Sequence, residues 1–176
     1  MLKPLPVRLA DYDPDWPRQA AERAARLRAL EPVLVAVHHI GSTSVPGLMA
    51  KPIIDLMPLV ADLAALDQER GTVEALGYRW HGEYGIPGRR YCTATVGERR
   101  VAQLHFFVLG SPGAHRHLAF RDYLRAHPAA AAQYAAVKRR ARDQHPNDSH
   151  AYGAAKQPWI DATEAQALAW YAALNG

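Results

Sequence analysis

At 176 residues, 49% of them hydrophobic and 22% charged, the chain is long enough to bury a substantial core as one domain spanning 1–176. Its single cysteine, Cys92, excludes an internal disulfide, and no run approaches the ~18 uninterrupted apolar residues that mark a membrane span. The net charge of +4, from 21 basic against 17 acidic residues, suits a small phosphate-bearing partner, and the absence of a long basic run gives no strong nucleic-acid signal.

The opening stretch MLKPLPVRLADYDPDWP puts prolines and acids where a secretory leader needs an apolar centre, so a reducing, cytoplasmic location is expected. Pro14 and Trp16-Pro17 begin an amphipathic helix that runs to about Glu31, with Ala20, Ala24, Leu27 and Leu30 on one face. Pro32 ends it. Leu34 to Ile40 is apolar and β-branched enough for a core strand, and Gly41-Ser42-Thr43-Ser44 then removes side-chain bulk where that strand leaves the sheet. Such a turn lets backbone N–H groups and hydroxyls approach a phosphate closely. Pro46-Gly47 fixes the next bend, and Ile53 to Val60 returns as a second strand. Asp55 sits inside it between Ile54 and Leu56, where an unpaired carboxylate is costly and a cation is expected to face it.

Asp62 caps a helix reaching toward Leu76, with Gly77 placed to stop it and Gly71 weakening its middle. Tyr78 to Glu83 reads as a strand and Gly85 to Gly88 as a loop. Tyr91 to Val96 and Arg100 to Leu109 form a hairpin around Gly97-Glu98. Beyond Gly110 helices take over, at roughly 113–126, 129–144, 148–155 and 159–174, punctuated by Pro112, Pro128, Pro146 and Pro158. The fold class expected is α+β: a mixed β-sheet flanked by helices, with a helical C-terminal half.

HIGSTSVPGL followed by KPIIDL is similar to the hallmark of the GrpB family, within the polymerase-beta-like nucleotidyltransferase superfamily. DYDPDWP, ALGY at 75–78, GIPGRRY at 85–91, LHFFVLG at 104–110, HLAFRDYLRAHP at 117–128 and the late Tyr152 and Lys156 extend the resemblance over almost the whole chain. It implies a nucleotidyltransferase-like fold in which Gly41, Ser42, Thr43 and Ser44 form a phosphate turn and Asp55 is the first of the carboxylates that hold divalent metal, magnesium or manganese. Met57 stands where the superfamily has a second acid, and a thioether on the same strand face is a poor Mg²⁺ ligand. His105 is the positional candidate for the third, with Gln103 two residues before it in place of a family histidine. An Asp55–His105 pair would suit zinc, manganese or general-base work better than magnesium.

Other cations have possible roles. Arg89 and Arg90 follow the Gly-Pro-Gly loop and carry forked donors for phosphate. Lys51 offers a point charge between turn and Asp55. Tyr134 and Lys138, and Tyr152 and Lys156, are helical i,i+4 pairs; for Lys138 the expectation is a stem packed along the ring, while Lys156 is counted with the phosphate ligands. Only four lysines stand against seventeen arginines, so those lysines are expected at positions where a planar guanidinium does not replace a compact ammonium. Transfer of a nucleoside monophosphate from a nucleoside triphosphate to a small acceptor is the function the resemblance implies. The alternatives are an inactive nucleotide- or coenzyme A-precursor-binding module, and a phosphohydrolase using Asp55 and His105. No G-x-x-x-x-G-K loop is present for a kinase.

Overall fold

The computed structural model describes residues 2–175. A five-stranded mixed sheet is built from β1 (Leu34–Ile40), β2 (Ile54–Val60), β3 (Arg79–Trp80), β4 (Arg90–Val96) and β5 (Arg99–Val108), in the order β1-β2-β5-β4-β3. All neighbours are antiparallel except β2 and β5, which run parallel at the centre. Alternation along the central strands divides the sheet into two faces. Ile54, Leu56, Leu104 and Phe106 point to one face, and Asp55, Met57, His105 and Phe107 to the other.

The first face packs under α1 (Trp16–Arg26), a 3₁₀ turn at Leu27–Leu30, α2 (Leu63–Gln68) and α3 (Arg70–Ala75), which bury Trp16, Ala20, Leu27, Leu66 and Val73 against it. Each fully buried Leu or Phe there contributes roughly 1.5–3 kcal/mol. The second face is only partly covered. Ala114 and Leu118 of α4 (Pro112–Ala126) close it over Ile40, Met57, Leu59 and Phe107. The strip carrying Asp55 and His105 is left facing cavities. The helices α5 (Pro128–Gln144) and α6 (Ser149–Asn175) pack with α4, and Tyr134, Trp159 and Ile160 meet Val45 and Leu48 of the loop that follows β1.

Three elements differ from the sequence expectation. The helix after Asp62 is two short helices broken at Glu69, although Asp62 caps the first by accepting from Ala65 N–H at 2.7 Å. The strand from Tyr78 shrinks to Arg79–Trp80, because Gly82, Tyr84, Gly85 and Gly88 all take positive φ and turn the chain away. The two helices divided at Pro158 are one continuous helix, with Pro158 inside it. Ala154 and Pro158 are both exposed, so water solvates the carbonyl that lost its donor while packing on either side holds the axis.

Candidate functional site

Gly41 ends β1 with φ +71° and ψ −175°, a region essentially confined to glycine. A Cβ there would lie 2.7 Å from Asp55 Oδ2, so the turn and the carboxylate are fitted to each other. Ser44 Oγ donates to Gly41 O at 2.5 Å, and Thr43 Oγ1 is 2.8 Å from His39 Nε2. Burial lowers the His39 pKa to about 4, so the neutral ring holds the Thr43 hydroxyl. These two hydroxyls lock the turn. Ser42 is left facing the cavities on either side, with its side chain hydrogen-bonded to Tyr134.

Asp55 pairs in register with Ile40 of β1 and Gln103 of β5. Two residues further along β5, on the same face, His105 brings Nε2 to 3.3 Å from Asp55 Oδ1. Arg89 Nη1 lies 3.5 Å from His105 Nδ1. A guanidinium only donates, so this contact favours the tautomer whose proton is on Nε2, toward Asp55. The rest of the Arg89 fork goes to the carbonyls of Glu83 and Tyr84, with the guanidinium over the Tyr91 ring at 4.8 Å. Arg89 therefore anchors the 82–88 loop and supports His105 from behind. Arg90 is not brought to the site: it pairs with Phe106 in register, on the opposite sheet face, and gives a bidentate pair to Asp67 at 2.7 and 2.8 Å.

On one side of Asp55 is a cavity of about 190 Å³ lined by Ser42, Lys51, Lys138, Lys156 and the two tyrosines Tyr134 and Tyr152. Three of the chain's four lysines thus meet in one place. Lys156 Nζ lies 4.3 Å from the Tyr152 ring centre and Lys51 Nζ 5.5 Å from it. Lys138 is 2% exposed, sits 4.7 Å over Tyr134 and donates to Met49 O at 2.8 Å. Burial lowers all three pKa values, Lys156 to about 8, and for Lys138 the charges of Lys156 and Lys51 push further in the same direction. Lys138 packs on the ring as its spacing suggests, and it also lines the cavity. Its neighbours Arg139 and Arg140 point to solvent, and the i,i+4 pairing with a tyrosine is the signal it shares with Lys156.

On the other side is a larger cavity of about 420 Å³ between the sheet and α4 and α6, reached by Asp55, Gln103 and His105 and walled by Phe120, Ile160 and Arg116. His117 also lines it. Its Nδ1 is 2.8 Å from Gly113 O and its ring centre 5.8 Å from that of His105. Burial lowers its pKa to about 4. His115, two residues earlier, turns away to Tyr171, so the two histidines do not face the same cavity.

Among the described residues no three His, Cys, Asp or Glu side chains gather as a metal cage. The donors at hand are the Asp55 carboxylate, the Ser42 hydroxyl, the Gln103 side chain and one imidazole. Hard oxygens around a single carboxylate fit one Mg²⁺ or Mn²⁺ that keeps waters and takes its other ligands from a bound phosphate. They do not make a closed four-coordinate zinc site. Met57 is wholly buried among Ile40, Leu59 and Phe107, so the position of a second acid belongs to the core.

Residues 6–166 match the family model described as GrpB protein. UPF0157 protein YqkA of Bacillus subtilis is 41% identical over 93% of this chain and 48% of its own length, and UPF0157 protein SCO7215 of Streptomyces coelicolor is 37% identical over 93% and 85%. A dephospho-CoA kinase of Mycolicibacterium paratuberculosis is 34% identical over 94% of the chain and 47% of the kinase. The chain thus spans about half the length of YqkA and of that kinase. Among solved structures, GrpB from Enterococcus faecalis superimposes with a TM-score of 0.88 at 37% identity, covering 93% of this chain and 99% of the other. A cytoplasmic RNA terminal U-transferase gives a TM-score of 0.50 at 14% identity over 73% and 39%, a likeness of fold alone. The chain belongs to the GrpB family and has a nucleotidyltransferase-like fold.

Proposed function

We propose that this protein is a metal-dependent nucleotidyltransferase that moves a nucleoside monophosphate from a nucleoside triphosphate to a small hydroxyl-bearing acceptor. The observation that carries the reading is the convergence of Lys51, Lys138 and Lys156 with Ser42 on one cavity beside Asp55. Three largely buried ammonium groups repel one another, and among the described residues Asp55 is the one carboxylate lining their cavity; a β,γ-diphosphate supplies the balancing charge. The remainder of the nucleotide and the acceptor then share the larger cavity. Lys51, Lys138 and Lys156 hold the leaving diphosphate, and Ser42 and the turn amides fix its position. The acceptor oxygen bonds to the α-phosphorus as the bond from that phosphorus to the bridging oxygen breaks, and pyrophosphate departs. The hydroxyl proton passes to the Asp55 carboxylate, which His105 Nε2–H holds in place. A divalent ion at Asp55, when bound, supplies charge neutralisation of the triphosphate.

Met57 and the match to part of a dephospho-CoA kinase favour a second reading, in which the same pocket binds a nucleotide or coenzyme A precursor without transfer. Thermal-shift titrations of nucleoside triphosphates and coenzyme A precursors with Mg²⁺, Mn²⁺ or Zn²⁺ separate the two, run on wild type and Asp55→Ala. The transferase predicts a metal-dependent triphosphate shift, about 2.7 kcal/mol at 100 times the dissociation constant. It also predicts that Asp55→Ala loses that shift. A shift that ignores both metal and Asp55, without pyrophosphate release, supports the binding module. No triphosphate shift at all in wild type defeats the transferase.

A further inference from the structure

A third cavity, a cleft of about 270 Å³, lies where the N-terminal arm passes the tip of the β4–β5 hairpin. Four cations line it, Arg8, Lys51, Arg99 and Arg100, against one carboxylate, Glu98. Among the described residues Arg8, Arg99 and Arg100 form no ion pair and no side-chain hydrogen bond. The Nε of Arg100 is buried with no acceptor among the described residues. A buried charged donor without a partner is costly, and such groups are nearly always satisfied in folded proteins. The cleft shares Lys51 and Ile53 with the three-lysine cavity, so the two have a common wall. Its other lining is apolar: Leu5, Pro6, Pro52 and Ile53.

We propose that this cleft is a second anion site, which takes the phosphoryl group of a small phosphate ester on Arg8, Arg99 and Arg100 and the ester's apolar portion on Leu5, Pro6, Pro52 and Ile53. Guanidiniums offer the planar, forked donors that match tetrahedral oxyanions, and the Arg100 Nε–H gains the acceptor it lacks. Pro6 and Pro52 cost little conformational entropy when a ligand settles on them. The three arginines of the site line neither cavity beside Asp55, so anion binding by them does not require nucleotidyl transfer, although Lys51 stands between the two.

The test is a titration of the full chain with inorganic phosphate and with phenyl phosphate. Binding is followed through the arginine Nε–H signals by ¹H–¹⁵N NMR and by calorimetry. The Arg100 Nε–H resonance should move in wild type, and phenyl phosphate should bind several-fold more tightly than inorganic phosphate. The double variant Arg99→Gln/Arg100→Gln should weaken this event at least tenfold. Lys156→Met should leave it in place, even where that change removes a separate event in the lysine cavity. An unmoved Arg100 signal at saturating ligand overturns the proposal, and so does a folded double variant that titrates like wild type. Response to a single-stranded oligonucleotide but to neither phosphate also overturns the assignment to a small ester. The NMR signal is read on the unaltered protein, so the test stands even if the double variant folds poorly.

Discussion

Gly41 is where one residue decides the site. Its backbone occupies a region that a side chain makes costly, and the space a methyl would need is held by the Asp55 carboxylate at 2.7 Å. Gly41→Ala should therefore cost on the order of 1–3 kcal/mol in urea unfolding. It should also displace the carboxylate and weaken any ligand that depends on it. Gly47, also at positive φ, leaves open space where a Cβ would stand, with nothing within 4 Å, so Gly47→Ala carries the backbone strain without the collision. Equal losses in binding for the two variants would contradict the fitted-turn account. Asp55 itself contacts His105 at 3.3 Å and is a quarter exposed, so its removal leaves only a small gap, and loss of function without loss of fold is the expected pattern for Asp55→Ala.

Among the elements, α6 shows how tertiary packing overrides a local stop. Pro158 withholds a donor from the Ala154 carbonyl, yet Tyr152 and Lys156 before it and Trp159, Ile160, Thr163 and Ala167 after it are all placed by the same axis. Pro158→Ala restores the helical bond at an exposed position and should stabilise the protein by about 1–3 kcal/mol. At this chain length that is a rise of several degrees in the thermal midpoint. An unchanged or lower midpoint would mean that the proline is needed for packing. The same element explains what the sequence can and cannot convey. Strands β1, β2, β4 and β5 are legible within a residue or so, because their apolar runs are bounded by Gly and Pro. Pro158 reads as a boundary because proline's local cost is visible in a sequence, whereas the neighbours that offset it are not. The Gly41–Ser44 turn and Asp55 are legible as a unit for the reason that they lie close along the chain. The cavity positions of Lys138 and His117 are not legible, since their partners come from α6, β5 and the turn, and helical spacing alone gives packing and ligand binding the same pattern. Arg90 follows Arg89 directly, and only the pleat reveals that the two separate.

At the scale of the molecule, the lysine cavity exists only at the seam between the sheet and the helical layer. Lys51 comes from the segment before β2, Lys138 from α5 and Lys156 from α6. Folding gathers charges that lie apart in the unfolded chain, and burial makes each of them harder to hold. Lys156 drops to about 8 from an ordinary 10.5, so between those values the unfolded chain binds more protons than the folded one. Stability then rises with pH through that window. Cys92 works in the other direction: burial raises it from 9.0 to about 12, so it removes stability once pH passes 9. The lysine contribution is therefore cleanest from about pH 7.5 to 9. The thermal midpoint of wild type should climb across that range, and Lys156→Met should flatten the climb while raising stability most at the lower end. Inorganic pyrophosphate should act oppositely. It rewards the charged form, so its affinity falls as pH passes about 8, approaching roughly tenfold per unit for one linked proton. A wild-type midpoint that is flat over this range, or a pyrophosphate affinity indifferent to both pH and Lys156, would mean the three ammonium groups do not share a field. The pull of an anion across the seam would then be absent as well, and with it the reason for bringing three scarce lysines together from three parts of the chain.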